Sequence, residues 1–247
     1  MKIIYQAVAV VALWLPRTTV MAGEAGNPPL PRVETVLERL VEQSQKEAAN
    51  ELVFRQRYGF TRLKTNEIRN NRGELKKREV KTQVNKPAPK PGKPDDAPET
   101  PSVRSKPGRK TDFTVEREFL QRFQFTLVGR ETIDGRSALI LDLGPAAQKP
   151  PERDLKDRVI NKMAGRIWVD EAESILVQAD CHLTERVNVV AGLVGAITQF
   201  TFTFNRARTG EGLWYTRHLD WHLDGREVFV YRTVDVHEEI TTVQLIR

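Results

Sequence analysis

The C-terminal half of the chain alternates between apolar and polar residues. Phe200, Phe202 and Phe204 fall on one side of a strand, and Thr201, Thr203 and Asn205 on the other. A period of two over such a stretch specifies a β-strand with one buried face. The same pattern recurs from Phe123 to the end. The expected strands are 125–133, 136–143, 166–170, 175–187, 197–206, 213–223, 227–237 and 241–246. Asp134-Gly135 and Asp224-Gly225 are expected hairpin turns, because Asp-Gly tolerates the positive φ of a type I′ turn. In 175–187, Ile175, Val177, Ala179, Cys181 and Leu183 share one expected face. Short turns between strands make the sheet mainly antiparallel.

The start of the chain has a different period. Val33, Val36, Leu37, Leu40 and Val41 recur at three- and four-residue spacing, which predicts an amphipathic helix continuing to about Asn50. Phe54, Gln56, Tyr58 and Phe60 then read as one face of a strand, with Asn70-Asn71-Arg72-Gly73 as the turn into a return strand over 74–84. Two short helices are expected, one holding Phe119 and Leu120 and one over 153–163. A large twisted sheet with one aromatic face curls around something. The fold class is therefore α+β, mainly antiparallel β: a curled incomplete β-barrel with helices packed on its concave side. A closed lipocalin-like barrel and a two-sheet sandwich are the alternatives.

Charge and leader bound the setting. Lys2 precedes an apolar run over 3–15, and Val20-Met21-Ala22 offers a cleavage position, so 1–22 reads as a cleaved signal peptide and the protein as periplasmic. That run is too short for the ~20 residues of a spanning helix. The net charge of +6 invites a nucleic-acid reading. Its distribution argues otherwise: outside the leader, the excess cations lie in 86–110, which also holds seven of the fourteen prolines. Residues 23–247 read as one domain interrupted there by a basic, Pro-rich insertion expected to be disordered. Exported and charged in this way, the protein is expected to bind no nucleic acid and to be a monomer.

No catalytic signature is present, whether nucleophile elbow, P-loop or dinucleotide fingerprint. The chain is read as a non-enzyme without cofactor. Cys181, the lone cysteine, lies on an apolar face and reads as an inert thiol. His218, Asp220 and His222 alternate on one strand, but His218 and His222 would be about 13 Å apart, too far to share one ion. No metal site is expected.

The aromatic face carries the chemistry. Phe54, Tyr58, Phe60, Trp168, Phe200, Phe202, Phe204 and Trp221 are candidate walls of one interior, either a packed core or a cavity for acyl chains. The connection 187–197 is unusually apolar, and Val190, Leu193 and Val194 are candidates for a lid that plugs the open end, rests on a membrane or continues the sheet.

Residues 125–131 (FTLVGRE), 133–136 (IDGR), 139–143 and 161–170 (NKMAGRIWVD) resemble the outer-membrane lipoprotein carrier (LolA/LolB-like) and lipoprotein-sorting superfamily. The resemblance extends through Glu185-Arg186-Val187, the Phe200–Phe204 strand and Trp214, and covers roughly 32–84 and 112–246. It implies an unclosed antiparallel barrel with helices as a lid, which holds the acyl chains of a lipoprotein and carries them across the periplasm; an acylated lipoprotein or a phospholipid is the expected ligand here. The insertion at 86–110 departs from the carrier. A second function compatible with the same fold is an envelope sensor or structural adaptor, with an envelope membrane protein as partner.

Overall fold

The computed structural model describes residues 28–87, 115–189, 195–227 and 230–246. The expected leader, most of the insertion and the three lid candidates Val190, Leu193 and Val194 lie outside the described residues.

Helix α1 (Val33–Arg57) runs without a break into β1 (Tyr58–Asn70). The helix is longer than its apolar stripe suggests. Phe54 is helical rather than extended, because the good helix formers around it, Glu51, Leu52, Arg55, Gln56 and Arg57, keep the ladder going. Phe54 consequently stacks on Tyr58 one turn later, with ring centroids 5.3 Å apart. Strand β1 turns through Asn70–Gly73 into β2 (Leu75–Asn85). The Asn70 side chain accepts the backbone N–H groups of Arg72 and Glu74, which shapes that turn.

After a short helix α2 (Arg117–Leu120) come β3 (Phe123–Ile133) and β4 (Arg136–Pro145), joined at Asp134-Gly135. Both turn residues have positive φ, 48° and 77°, as a type I′ turn requires. Helix α3 (Leu155–Ile160) is capped by Asp154, whose carboxylate accepts the Asp157 N–H. Then follow β5 (Met163–Asp170), β6 (Leu176–Leu183), β7 (Val187–Val189), β8 (Gly195–Arg208), β9 (Trp214–Glu227) and β10 (Val230–Leu245).

All of the strands join one antiparallel sheet in the order β2-β1-β10-β9-β8-β6-β5-β4-β3, with β7 paired to β8. β2 and β3 are its two edges and do not pair with each other, so the barrel is open and neither a closed barrel nor a sandwich forms. The chain linking β2 to α2 and β3 therefore leads from one free edge to the other.

Three local readings are corrected. Asp224-Gly225 is not a turn: β9 runs through it, and Glu227 pairs with Val230. A Cβ on Gly225 would sit 3.1 Å from the Ala196 carbonyl oxygen, so the glycine serves close strand approach. The expected strand 227–237 and closing strand 241–246 are likewise one strand, β10. In β6 a bulge lies between the pairs Trp168↔Gln178 and Val169↔Leu176. It turns Val177, with Ile175, to the side opposite Ala179 and Cys181.

The main core joins Val36, Leu40 and Val41 of α1 to Leu139, Leu141, Ile167 and Val169 of the sheet. Arg130 clamps the approach to α1: it forms a bidentate pair with Glu171 at 2.7–2.9 Å and donates to the carbonyls of Pro28 and Pro29. Arg136 pairs bidentately with the buried Asp170, whose Oδ1 also accepts the N–H groups of Ala172 and Glu173.

Two predictions follow from this packing. Gly165 faces Cys181 across β5–β6, and an added Cβ would lie 2.1 Å from the Asp180 carbonyl oxygen. Gly165→Ala should lower stability by about 2 kcal/mol or more in a urea melt, whereas Gly144→Ala, with open space around it, should not. The Arg130 guanidinium holds the Glu171 carboxyl below its usual value. A depressed carboxylate contributes stability that is complete above its unfolded-state pKa and lost as pH falls through the folded one. The melting temperature should therefore drop as pH falls below about 4.5, the ordinary carboxyl value, and Glu171→Gln should make that drop shallower.

Candidate functional site

The inward stripe of α1 runs Val36, Leu40, Ser44, Glu47, Glu51, Phe54. Its ends are apolar and its middle is polar. Val36 and Leu40 join the main core, and Phe54 joins a second cluster with Tyr58, Phe60 and Ile240. Between those anchors the helix presents Ser44, Glu47 and Glu51, which cannot pack on aromatic rings. The concave face of β8 and β9 below is left incompletely covered.

The result is a cavity of about 860 Å³. Phe200, Phe202 and Phe204 of β8 and Leu219, Trp221 and Leu223 of β9 form its floor. These six come from cross-strand pairs: Phe200↔Leu223, Phe202↔Trp221 and Phe204↔Leu219. Helices α2 and α3 close one end with Phe119, Leu120, Val159 and Ile160. Those two helices are tied by Arg122, a 2% exposed arginine 3.1 Å from Asp157 and 2.8 Å from the Asn161 side-chain oxygen. The other end is charged: Arg62 and Lys64 of β1 both pair with Glu238 of β10, and Lys64 is half exposed.

Six of the eight aromatic candidates line this cavity: Phe54, Phe60, Phe200, Phe202, Phe204 and Trp221. Tyr58 supports it from behind, stacked on Phe54, with its hydroxyl donating to Glu211 at 3.3 Å. Trp168 does not belong to it. The alternation of β5 turns Ile167 inward and Trp168 outward, where its indole N–H donates to Glu131 and its side chain packs against the cluster of Ala138, Ile175, Val177 and Trp214. The apolar connection 187–197 continues the sheet at both ends, Val187 pairing with Ile197 and Val189 with Gly195.

Cys181 lies on the cavity wall, and burial, with Asp180 adding to it, pushes its thiol up to about 12. It stays protonated at neutral pH and is a poor nucleophile there.

Many lining residues escaped the sequence reading, among them a nearly buried ion pair. Arg206 of β8 donates to Glu47 of α1 at 2.5 Å, and both side chains are nearly buried. The signal was present: Arg206 continues the Phe200, Phe202, Phe204 alternation, and a charge in that position needs a buried partner. Removing only one member leaves an uncompensated charge. Arg206→Met should cost about 3 kcal/mol or more in chemical denaturation, and pairing it with Glu47→Leu should recover most of that loss.

No protein-family model matches the chain, and no curated protein matches its sequence. Solved structures align over most of their length. One is a domain from Vibrio parahaemolyticus described as an outer-membrane lipoprotein-sorting protein, at 13% identity over 85% of this chain and 93% of that one, with a TM-score of 0.30. A LolA superfamily protein from Nitrosomonas europaea aligns at 10% identity over 88% and 95%, also at 0.30. MucB in its complex with MucA aligns at 10% identity over 87% and 100%, at 0.27. At such scores the functional reading rests on the cavity itself.

Proposed function

We propose that the protein binds the acyl chains of a lipid or lipoprotein in the cavity beneath α1 and carries them through the periplasm towards the outer membrane. The observation that carries this reading is the open, aromatic-floored cavity of about 860 Å³ in the concave face of the sheet. Its size falls within the ~300–1,000 Å³ of small-molecule sites. Its floor is apolar, and its charged rim at Arg62, Lys64 and Glu238 suits a ligand with one polar end. The energetics favour such a ligand strongly. Each CH₂ removed from water contributes ~0.8 kcal/mol, so a sixteen-carbon chain gains roughly 12 kcal/mol on entry.

The signal-like stretch 1–22 supports export, and no helix among the described residues is long and apolar enough to cross a membrane. A sensor or adaptor of the same fold would use the cavity to recognise a lipidated or membrane-protein partner without moving it.

Protein isolated from the periplasm and extracted with organic solvent should release phospholipid or acylated peptide in near-stoichiometric amount, read by mass spectrometry. Phe200→Glu should lower uptake of a fluorescent fatty acid about tenfold or more, since a charge in the floor must be desolvated with the chain. Trp168→Ala, on the opposite face, should leave uptake unchanged. An empty protein that takes up no fatty acid would overturn the acyl-chain reading. Binding without transfer between vesicles would favour the sensor or adaptor.

A further inference from the structure

Three of the four histidines of the chain, His218, His222 and His237, lie on the face of β9 and β10 turned away from the cavity. His218 and Asp220 are two apart on β9, so they project from the same face. His237 stands on β10 directly opposite Asp220. The carboxylate of Asp220 meets both rings: Oδ1 lies 2.6 Å from His237 Nδ1, and Oδ2 contacts His218 Nε2. The two imidazoles meet edge to face, with centroids 4.7 Å apart. One ligand atom from each of the three residues falls within a 4.8 Å span.

We propose that His218, Asp220 and His237 form a binding site for a first-row divalent transition-metal ion, with zinc the best fit. Two imidazole nitrogens and one carboxylate oxygen are a donor set for zinc and its neighbours, and too nitrogen-rich for calcium or magnesium. Bonds of ~2.0–2.2 Å to a shared ion need donors roughly 3–4 Å apart. The present contacts open to that spacing by small side-chain rotations. The backbone supplies the preorganisation: β9 and β10 are interior strands, held by β8 on one side and β1 on the other. The three side chains are 37–43% exposed, which leaves an entry path and room for water or an outside ligand to complete a tetrahedron.

The neighbouring His222 shows why the site is local. It contacts Asp235 at 2.6 Å and Asp224 at 3.3 Å, but has one imidazole where the proposed site has two. The spacing along one strand excluded a His218–His222 site. It did not exclude a cross-strand one, because strand register is what delivers His237.

The test is isothermal titration of the full chain, carrying no histidine tag, with zinc chloride in metal-free buffer. One ion per chain with micromolar or tighter affinity is expected. His237→Gln and His218→Gln should each weaken binding about tenfold or more, and His222→Gln should change it less than about threefold. Circular dichroism melts without metal check that each variant folds. Cobalt as a probe should give visible d–d absorption that Asp220→Asn alters while the fold is intact. Absence of saturable zinc binding below about 100 μM, or an equal loss with His222→Gln, would overturn the site. Neither result depends on whether the cavity holds lipid.

Discussion

Strand twist dictates the shape of this molecule. Ten antiparallel strands, each with its own right-handed twist, make a sheet that must curl, and its concave face must be covered. One helix of 25 residues is the main cover. At about 10 Å across with side chains, it cannot span the whole concavity. The remaining volume is either packed by other elements or left as space. Here α2 and α3 fill one end, and the region over β8 and β9 stays open.

The chemistry of the helix decides where that space lies. Its inward stripe changes from valine and leucine to serine and glutamate, then back to phenylalanine at its junction with β1. The glutamates meet their counter-charges at the edges of the cavity, Glu47 at Arg206 and Glu51 at Arg55. A helix with leucine at those positions would sink onto the phenylalanines and remove the cavity. The apolar floor and the polar ceiling are therefore one arrangement, in which the fold is stable while the aromatic surface remains available.

Much of this was legible in the residues, because alternation is a strong signal. The Phe200–Phe204 strand, the Asp134-Gly135 hairpin and the helix from Val33 follow from period and turn chemistry alone. The failures have definite causes. Asp224-Gly225 looks like a turn, but there the glycine serves the close approach of β8. Val177 changes face because a bulge, invisible to simple alternation, shifts the register of β6. Trp168 was assigned to the interior by residue type, while the parity of its own strand puts it outside. The cavity floor needs the β8–β9 register, and the histidine cluster needs that of β9–β10. Pairing between strands is a tertiary fact that a one-dimensional pattern does not contain.

The open barrel leaves β2 as a free edge, with backbone donors and acceptors available to any extended chain. Its residues Lys76, Lys77, Arg78 and Lys81 all stand along that edge, beside the exposed Leu75, Val80 and Val84. Three of them have acidic partners, Lys76 with Glu74, Lys77 with Glu79 and Arg78 with Glu67, but the strand itself keeps an excess of positive charge, so two copies brought together edge to edge repel one another. That protection weakens as salt shortens the range of the repulsion, to about 3 Å at molar ionic strength. Pairing of copies through the β2 edge is thus tied to the ionic composition of the surroundings.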